Sequence, residues 1–193
     1  RVAALAYEPN GHLINYLKNS LSELGVKIKM DALGTPETIK AFNPDHVVVA
    51  VGANRDAPTI KGKDRKNVFD GEELRGLLFG SNKHAIKKLS YLQQIILKIG
   101  RTSQLLRNIN ALRFLSKLWM PLSKNIIIIG GDLVGLELAE FLVERGRKVK
   151  VLEPTGTLGP NLSIVRRSRV VHLLKEHGVD LLTNVDINEI RRQ

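Results

Sequence analysis

The sequence of 193 residues contains no cysteine. Structural disulfides, thiolate metal sites and a dithiol redox pair are therefore excluded from it. Any redox chemistry in this chain has to use a bound cofactor. Absence of cysteine also fits a reducing compartment, and the expected location is the cytoplasm. No apolar run approaches the roughly 18 residues that a membrane-spanning helix needs. The opening Arg1-Val-Ala-Ala-Leu-Ala6 gives way at once to polar Tyr7-Glu8-Pro9-Asn10, so it does not read as a signal peptide. Met is missing from the first position, and the last residues fall in a strand-like pattern, Val185 to Ile190. The expectation is a fragment of a longer protein.

Acid is missing in one place. Not one Asp or Glu occurs between Glu73 and Asp132, while Arg75, Lys83, Lys87, Lys88, Lys98, Arg101, Arg107, Arg113, Lys117 and Lys124 all lie there. Nearly all of the net charge of +11 belongs to this stretch, and the remainder is close to balanced. The five histidines are scattered, with no metal-ligand spacing to one another or to an acid. No nucleophile stands beside a base, and there is no internal repeat or low-complexity tract.

What remains is an ordinary globular composition, 43% hydrophobic and 25% charged, enough for a sizeable core in one or two domains. Leu13, Ile14, Leu17, Leu21 and Leu24 share one helical face over 11–24, and Gly25 stops that helix. Residues 26–30 alternate like a strand. A short helix runs from Thr35-Pro36 to Asn43-Pro44, and 46–51 is a β-branched run of the kind buried in a parallel sheet. Residues 53–70, with Pro58 and Gly62, read as a linker. Residues 71–120 read as helices broken at Gly80, Gly100 and Pro121. Then follow strand 125–129, helix 133–145, strand 148–152, helix 162–177 and strands near 179–182 and 185–190. This alternation predicts an α/β fold with Rossmann-like parallel-sheet nucleotide-binding lobes and a helical connecting segment.

The most specific signal is Asn125-Ile-Ile-Ile-Ile-Gly130-Gly131-Asp132-Leu133-Val134-Gly135-Leu136-Glu137, a strand, a glycine turn and a helix start. Gly130 permits the tight turn, and Gly135 lets the helix pack close to the strand. The helix N-terminus offers free N–H groups and partial positive charge to a pyrophosphate. The next strand ends in Glu153, at roughly the 20-residue spacing expected of a ribose hydroxyl ligand. No Lys or Arg follows it directly, which favours NAD over NADP. The departure is Asp132, which stands where the second fingerprint glycine belongs. Its carboxylate crowds phosphate, and it is expected to cap the helix instead.

The segment Ile129-Gly-Gly-Asp-Leu-Val-Gly-Leu-Glu-Leu-Ala139 resembles the NAD-binding turn of flavin-dependent pyridine-nucleotide oxidoreductases. His46-Val-Val-Val-Ala-Val-Gly52 resembles their second conserved segment, Ala-Thr-Gly, with Val51 in place of the Thr. Tyr7-Glu-Pro-Asn-Gly11, a helix and then Gly25-Val-Lys-Ile-Lys29 resemble one branch, the C-terminal region of old-yellow-enzyme-like multidomain reductases. Members include 2,4-dienoyl-CoA reductase, 2-enoate reductase and trimethylamine dehydrogenase. The likeness covers most of the chain, least of all 80–120. It implies an FMN and iron–sulfur barrel domain upstream. It further implies that 1–60 is the C-terminal part of an FAD-binding lobe, 61–121 a linker and basic helical segment, and 122–193 an NAD(P)-binding lobe. Val51 and Gly52 would neighbour the flavin nucleotide. Gly130, Gly131, Asp132, Leu133, Val134, Gly135 and Glu153 would line the NAD(H) site, with Glu137 on the nicotinamide side. The implied function is hydride transfer from NADH to flavin, for an unsaturated carbonyl or acyl-CoA substrate on the upstream domain. The alternative is a nucleotide-fold scaffold without turnover.

The basic stretch allows several readings. Leu89, Leu92, Ile95, Ile96 and Ile99 have helical spacing, and Leu112, Phe114, Leu115, Leu118 and Trp119 form a second apolar group. The plain reading is two surface helices packed by these faces with cations outside. An anionic membrane surface and an anionic partner such as an acyl-CoA are the next readings. Nucleic acid is not expected, because no recognition motif accompanies the charge. Arg166, Arg167 and Arg169 crowd one helix, as a solvated face or a phosphate clamp.

Overall fold

The computed structural model describes residues 9–52, 59–79, 82–102 and 108–191. The chain divides into two compact units, His12–Ala57 and the rest. The smaller unit holds most of α1 (Pro9–Glu23) and all of α2 (Pro36–Ala41). Thr35 caps α2 with a reciprocal Thr38 contact, and Pro36 occupies its first turn as expected. None of the described residues of this unit is buried.

The two strands expected in this unit, 26–30 and 46–51, do not form. Val47, Val48, Val49 and Val51 lie exposed, Val51 at 89%. The physical reason is pairing: a β-branched run becomes a strand only beside a neighbour that takes its N–H and C=O groups. No described residue pairs with either segment.

The larger unit carries α3 (Gly71–Phe79), α4 (Lys83–Lys87), α5 (Tyr91–Thr102), α6 (Ile109–Leu118), β1 (Asn125–Ile129), α7 (Leu133–Val143), β2 (Lys148–Leu152), α8 (Ile164–Glu176) and β3 (Asp180–Leu182). Gly80 lies outside the described residues. Gly100 sits inside α5 and does not break it. The strands form one parallel sheet in the order β1-β2-β3, with Ile127 opposite Lys150 and Lys150 opposite Asp180. Helices α7 and α8 make the crossovers. Their Leu136, Ala139, Leu142, Val170 and Leu174 pack on Ile128, Val149 and Val151 from one face of the sheet. The other face is open, with Ile127 exposed and Lys150 paired to Asp180 at 3.3 Å.

The strand expected at 185–190 reduces to a single bridge, Lys61 to Glu189. That bridge involves the stretch 53–70 read as a linker, of which 53–58 lie outside the described residues. Lys61 and Arg65 are tied to the C-terminal segment by Ile190 N–H to Lys61 O and Arg65 Nε to Ile190 O, at 2.9 and 2.8 Å.

The basic stretch builds a satellite core from Leu77, Ala85, Leu89 and Leu97. Beside it Glu73, the last acid before the gap, is buried. It exchanges capping hydrogen bonds with Asp70 and holds Lys88 Nζ at 2.7 Å and His84 Nδ1 at 2.8 Å. Helix α6 is anchored differently. Leu112 and Met120 enter the main core, and the buried Arg145 reaches from the end of α7 to Ser116 Oγ at 2.9 Å, its guanidinium stacked on Phe141. The expectation that the apolar face of α5 packs inward is corrected. Leu92, Ile95, Ile96 and Ile99, one stripe at helical spacing, are exposed, while Leu97 turns to the core. Phe114 and Leu118 of α6 are exposed likewise. Among the described residues no helix is long and apolar enough to cross a membrane.

Candidate dinucleotide site

The site begins at the end of β1. The backbone turns at Gly130, whose φ of 106° is closed to ordinary L-residues, and Gly130 N–H donates to Leu152 O of the neighbouring strand. A side chain at Gly130 would meet nothing within 4 Å, so its outer surface is free for a ligand to approach the backbone. Gly135 is fixed for another reason. A Cβ there would stand 1.9 Å from the Gly130 carbonyl oxygen, so only glycine lets α7 lie this close to the turn. Leu133 and Val134 open α7, with Val134 half exposed, and Leu136 fastens the helix into the core.

Gly131 is constrained by the protein itself. A Cβ would come within 2.6 Å of the Leu158 side chain and 3.1 Å of Glu153 Cβ. The loop between β2 and α8 folds back over the turn, with Gly159 N–H donating to Gly131 O at 2.8 Å. Glu153, 7% exposed, lies beneath that loop. Its Oε2 accepts from Gly131 N at 2.6 Å, and its Oε1 accepts from Thr155 N at 2.9 Å and Thr155 Oγ1 at 2.8 Å. Burial pushes the Glu153 carboxyl up, but these hydrogen bonds to the anion outweigh it and hold the pKa below the ordinary value. The ribose-facing acid of the sequence reading is thus also the strut that joins strand end, glycine turn and loop.

Asp132 corrects a second expectation. Its backbone has the extended conformation of an N-cap residue, but its side chain makes no capping hydrogen bond. The folded-back loop brings Asn161 alongside, and the carboxylate accepts from Asn161 Nδ2 at 2.7 Å and from Asn161 N at 3.3 Å. The Asn161 amide is the main cause of the lowered Asp132 pKa, with burial opposing it and nearby backbone N–H groups adding to it. Further along, Glu137 on α7 pairs with the Arg166 guanidinium on α8. Beside the apolar packing, polar contacts among the described residues join the loop and α8 to α7, Asn161 to Asp132 and Arg166 to Glu137.

Gly130, Gly131, Asp132, Leu133, Val134, Gly135, Glu137 and Glu153 are thus brought to one end of the sheet, at the C-terminal edge of β1 and β2, where open α/β sheets bind ligands. Val51 and Gly52 belong to the other unit and meet no described strand. Sequence reasoning missed Thr155, Leu158 and Asn161. They sit in a loop rich in Gly and Pro whose only legible property is that it is a loop. Among the described residues no cluster could hold a metal ion.

The chain matches the family model of pyridine nucleotide-disulphide oxidoreductases over residues 15–193. It belongs to that family. Membership makes it part of an FAD- and NAD(P)-dependent oxidoreductase class, although no dithiol lies in this chain. Among similar proteins, the bilirubin reductase of Mediterraneibacter gnavus is 29% identical, covering 92% of this chain and 21% of its own length. The cinnamate reductase of Clostridium sporogenes is 24% identical, covering 88% of this chain and 19% of its own length. The solved structure of a 2-naphthoyl-CoA reductase superposes with a TM-score of 0.62 at 24% identity, over 94% of this chain and 21% of that one, which shows a shared fold. The chain spans about a fifth of the length of the relatives it matches.

Proposed function

We propose that this chain is the nicotinamide-nucleotide module of a larger, cytoplasmic flavin oxidoreductase of the old-yellow-enzyme-like multidomain type. The observation that carries the reading is the turn itself. Gly130 has an open outer face, Gly135 allows the tight approach of α7, and Glu153 closes β2 in register. These residues fit a dinucleotide: the pyrophosphate against Gly130 and the start of α7 at Leu133 and Val134, the adenosine ribose toward Glu153, the nicotinamide half toward Glu137. NADH held by these residues would supply a hydride, and FAD, with FMN and an iron–sulfur cluster on the upstream part of a longer protein, would be the groups that accept it. The chain's own residues bind, orient and exclude; none of them acts as acid or base. Residues 1–60 would complete an FAD-binding lobe, with Val51 and Gly52 beside the flavin nucleotide. That none of the described residues of 12–52 is buried, and that the 46–51 run is unpaired among them, support the view that other parts of a longer protein cover this unit. Residues 61–121 connect, and 122–193 hold NADH. The relatives' names, bilirubin, cinnamate and 2-naphthoyl-CoA reductases, support an unsaturated carbonyl or acyl-CoA substrate on an upstream domain. The test is the absorbance spectrum of the longer protein. Flavin bands that bleach on adding NADH under nitrogen are the expected result, and bands that do not change contradict the reading.

A second reading rests on the exposed apolar stripe of α5 and on Phe114 and Leu118 of α6, set among Lys98, Arg113 and Lys117. Basic helices with an open apolar face bind anionic surfaces. In this reading the chain is a nucleotide-fold scaffold at an anionic membrane surface, without turnover. Sedimentation with anionic and with neutral vesicles at low salt separates the two. Preferential, salt-sensitive recovery with anionic vesicles supports a surface role, and equal recovery removes it. An acyl-CoA partner instead predicts release by free coenzyme A.

A further inference from the structure

We propose that Arg166 is the anion-recognition residue of the dinucleotide site, exchanging Glu137 for a phosphate of the bound nucleotide. The inference rests on the dinucleotide reading above and adds a specific residue to it. The turn is electrostatically unusual. Asp132 and Glu153 both stand at it, each held ionised by hydrogen bonds. A pyrophosphate arriving there meets two carboxylates, and the partial charge of one helix terminus does not offset them. A compensating cation is needed, and the surrounding sequence offers few. No Lys or Arg occurs between Lys124 and Arg145, nor between Lys150 and Arg166. Arg145 is committed to Phe141, Ser116 and Glu144 in the core. Arg166 is the first cation after that gap, and α8 brings it to Glu137, in the second turn of α7.

Its position suits the role. Glu137 lies five residues along α7 from Asp132, a rise of roughly 7 Å, which is about the length of an Arg side chain. The Asn161–Asp132 contact pins the loop just before α8, so the base of Arg166 is anchored while its exposed head is held by Glu137. The Arg166–Glu137 pair is exposed on both sides, 56% and 43%. Such pairs contribute little and are easily given up. A guanidinium has the planar fork that phosphate oxygens accept in pairs. The ion pair thus holds the cation ready beside the site, and Glu137 competes with the ligand for it.

The experiment is a calorimetric titration of NADH into the native chain, Arg166→Ala, Arg166→Lys, Glu137→Gln and the Arg166→Ala/Glu137→Gln double variant, with Arg167→Ala as a charge-matched control. Arg166→Ala is expected to weaken binding roughly tenfold and to flatten its salt dependence. Arg166→Lys should recover part of the loss. Glu137→Gln should tighten binding, and the gain should vanish in the double variant, a coupling that independent sites do not show. Arg167→Ala should change nothing beyond a small salt effect. Binding that is unaffected by Arg166, or a Glu137→Gln gain that persists without Arg166, overturns the inference and leaves the dinucleotide site standing. No binding by any of these proteins overturns the dinucleotide reading and this inference together. The Arg166 and Glu137 side chains are exposed and Arg167 is half-buried, and circular dichroism checks that each variant folds.

Discussion

Replacing Glu153 by alanine should unravel the site from its strut. The native carboxylate satisfies Gly131 N–H, Thr155 N–H and the Thr155 hydroxyl from a position 7% exposed. The alanine variant leaves the buried Gly131 N–H and the part-buried Thr155 N–H without their acceptor. Each orphaned donor costs roughly 1–3 kcal/mol, with some recovered if water enters. A net loss of about 3 kcal/mol is expected, or roughly 6–12 °C in melting temperature for a chain of this size. The sign of its pH dependence follows from the lowered pKa. A carboxyl depressed in the fold stabilises above its unfolded value, near 4.5, and that contribution disappears as pH falls through the folded value. The native protein and Glu153→Ala should therefore differ most at neutral pH and converge steadily below about pH 4.5. Glu153→Gln, which keeps one acceptor oxygen and turns an NH2 toward a donor, should fall between them. Thermal unfolding followed by circular dichroism from pH 7 to pH 3 is the assay. A difference under about 1 kcal/mol at pH 7, or one that is constant over that range, refutes the strut.

Asp132→Gly should tighten NADH binding. Unit charges about 4 Å apart interact by roughly 1 kcal/mol in water and 4 kcal/mol at an effective dielectric near 20. This carboxylate is accessible and already held by Asn161, so the lower figure governs, a gain of about fivefold by calorimetry. Because the side chain makes no cap, helix stability should change little, and an unimproved affinity contradicts the electrostatic argument. Gly135→Ala should destabilise, since a Cβ at 1.9 Å from the Gly130 carbonyl forces α7 and the turn apart. Overpacking of roughly 1–3 kcal/mol or more exceeds the gain of about 1 kcal/mol that alanine brings to a helix interior. A urea midpoint equal to or above native would show that the helix accommodates it.

The parts legible in the sequence are those whose structure is local. The βαβ unit from Asn125 to Leu152 reads directly, because alternation of a β-branched run, a glycine turn and an apolar helix leaves one arrangement. Gly135 was legible for the same reason, its role being set by residues five positions away. The segments 26–30 and 46–51 were not, because strand propensity is a property of residues and a strand is a property of pairs. Periodicity identified α5 but could not say which side is covered. Leu97 and Leu92 are alike in sequence, and only the packing of Leu77 and Ala85 distinguishes them. Asp132 has the residue type and the backbone of a cap. Its side chain answers to Asn161, a neighbour 29 positions away, which no local pattern announces. The same loop gives Glu153 a strut role that its place at the strand end did not announce.

Backbone amide chemical shifts during NADH titration report on the central claim residue by residue. With uniformly nitrogen-15-labelled chain, saturable shifts are expected at Gly130, Gly131, Leu133, Val134 and Thr155, with a further change at the Arg166 side chain. Residues of α5 and α6 should not respond. Shifts confined to the basic helices, or an unchanged spectrum at millimolar NADH, would contradict the assignment of the glycine turn as the dinucleotide site.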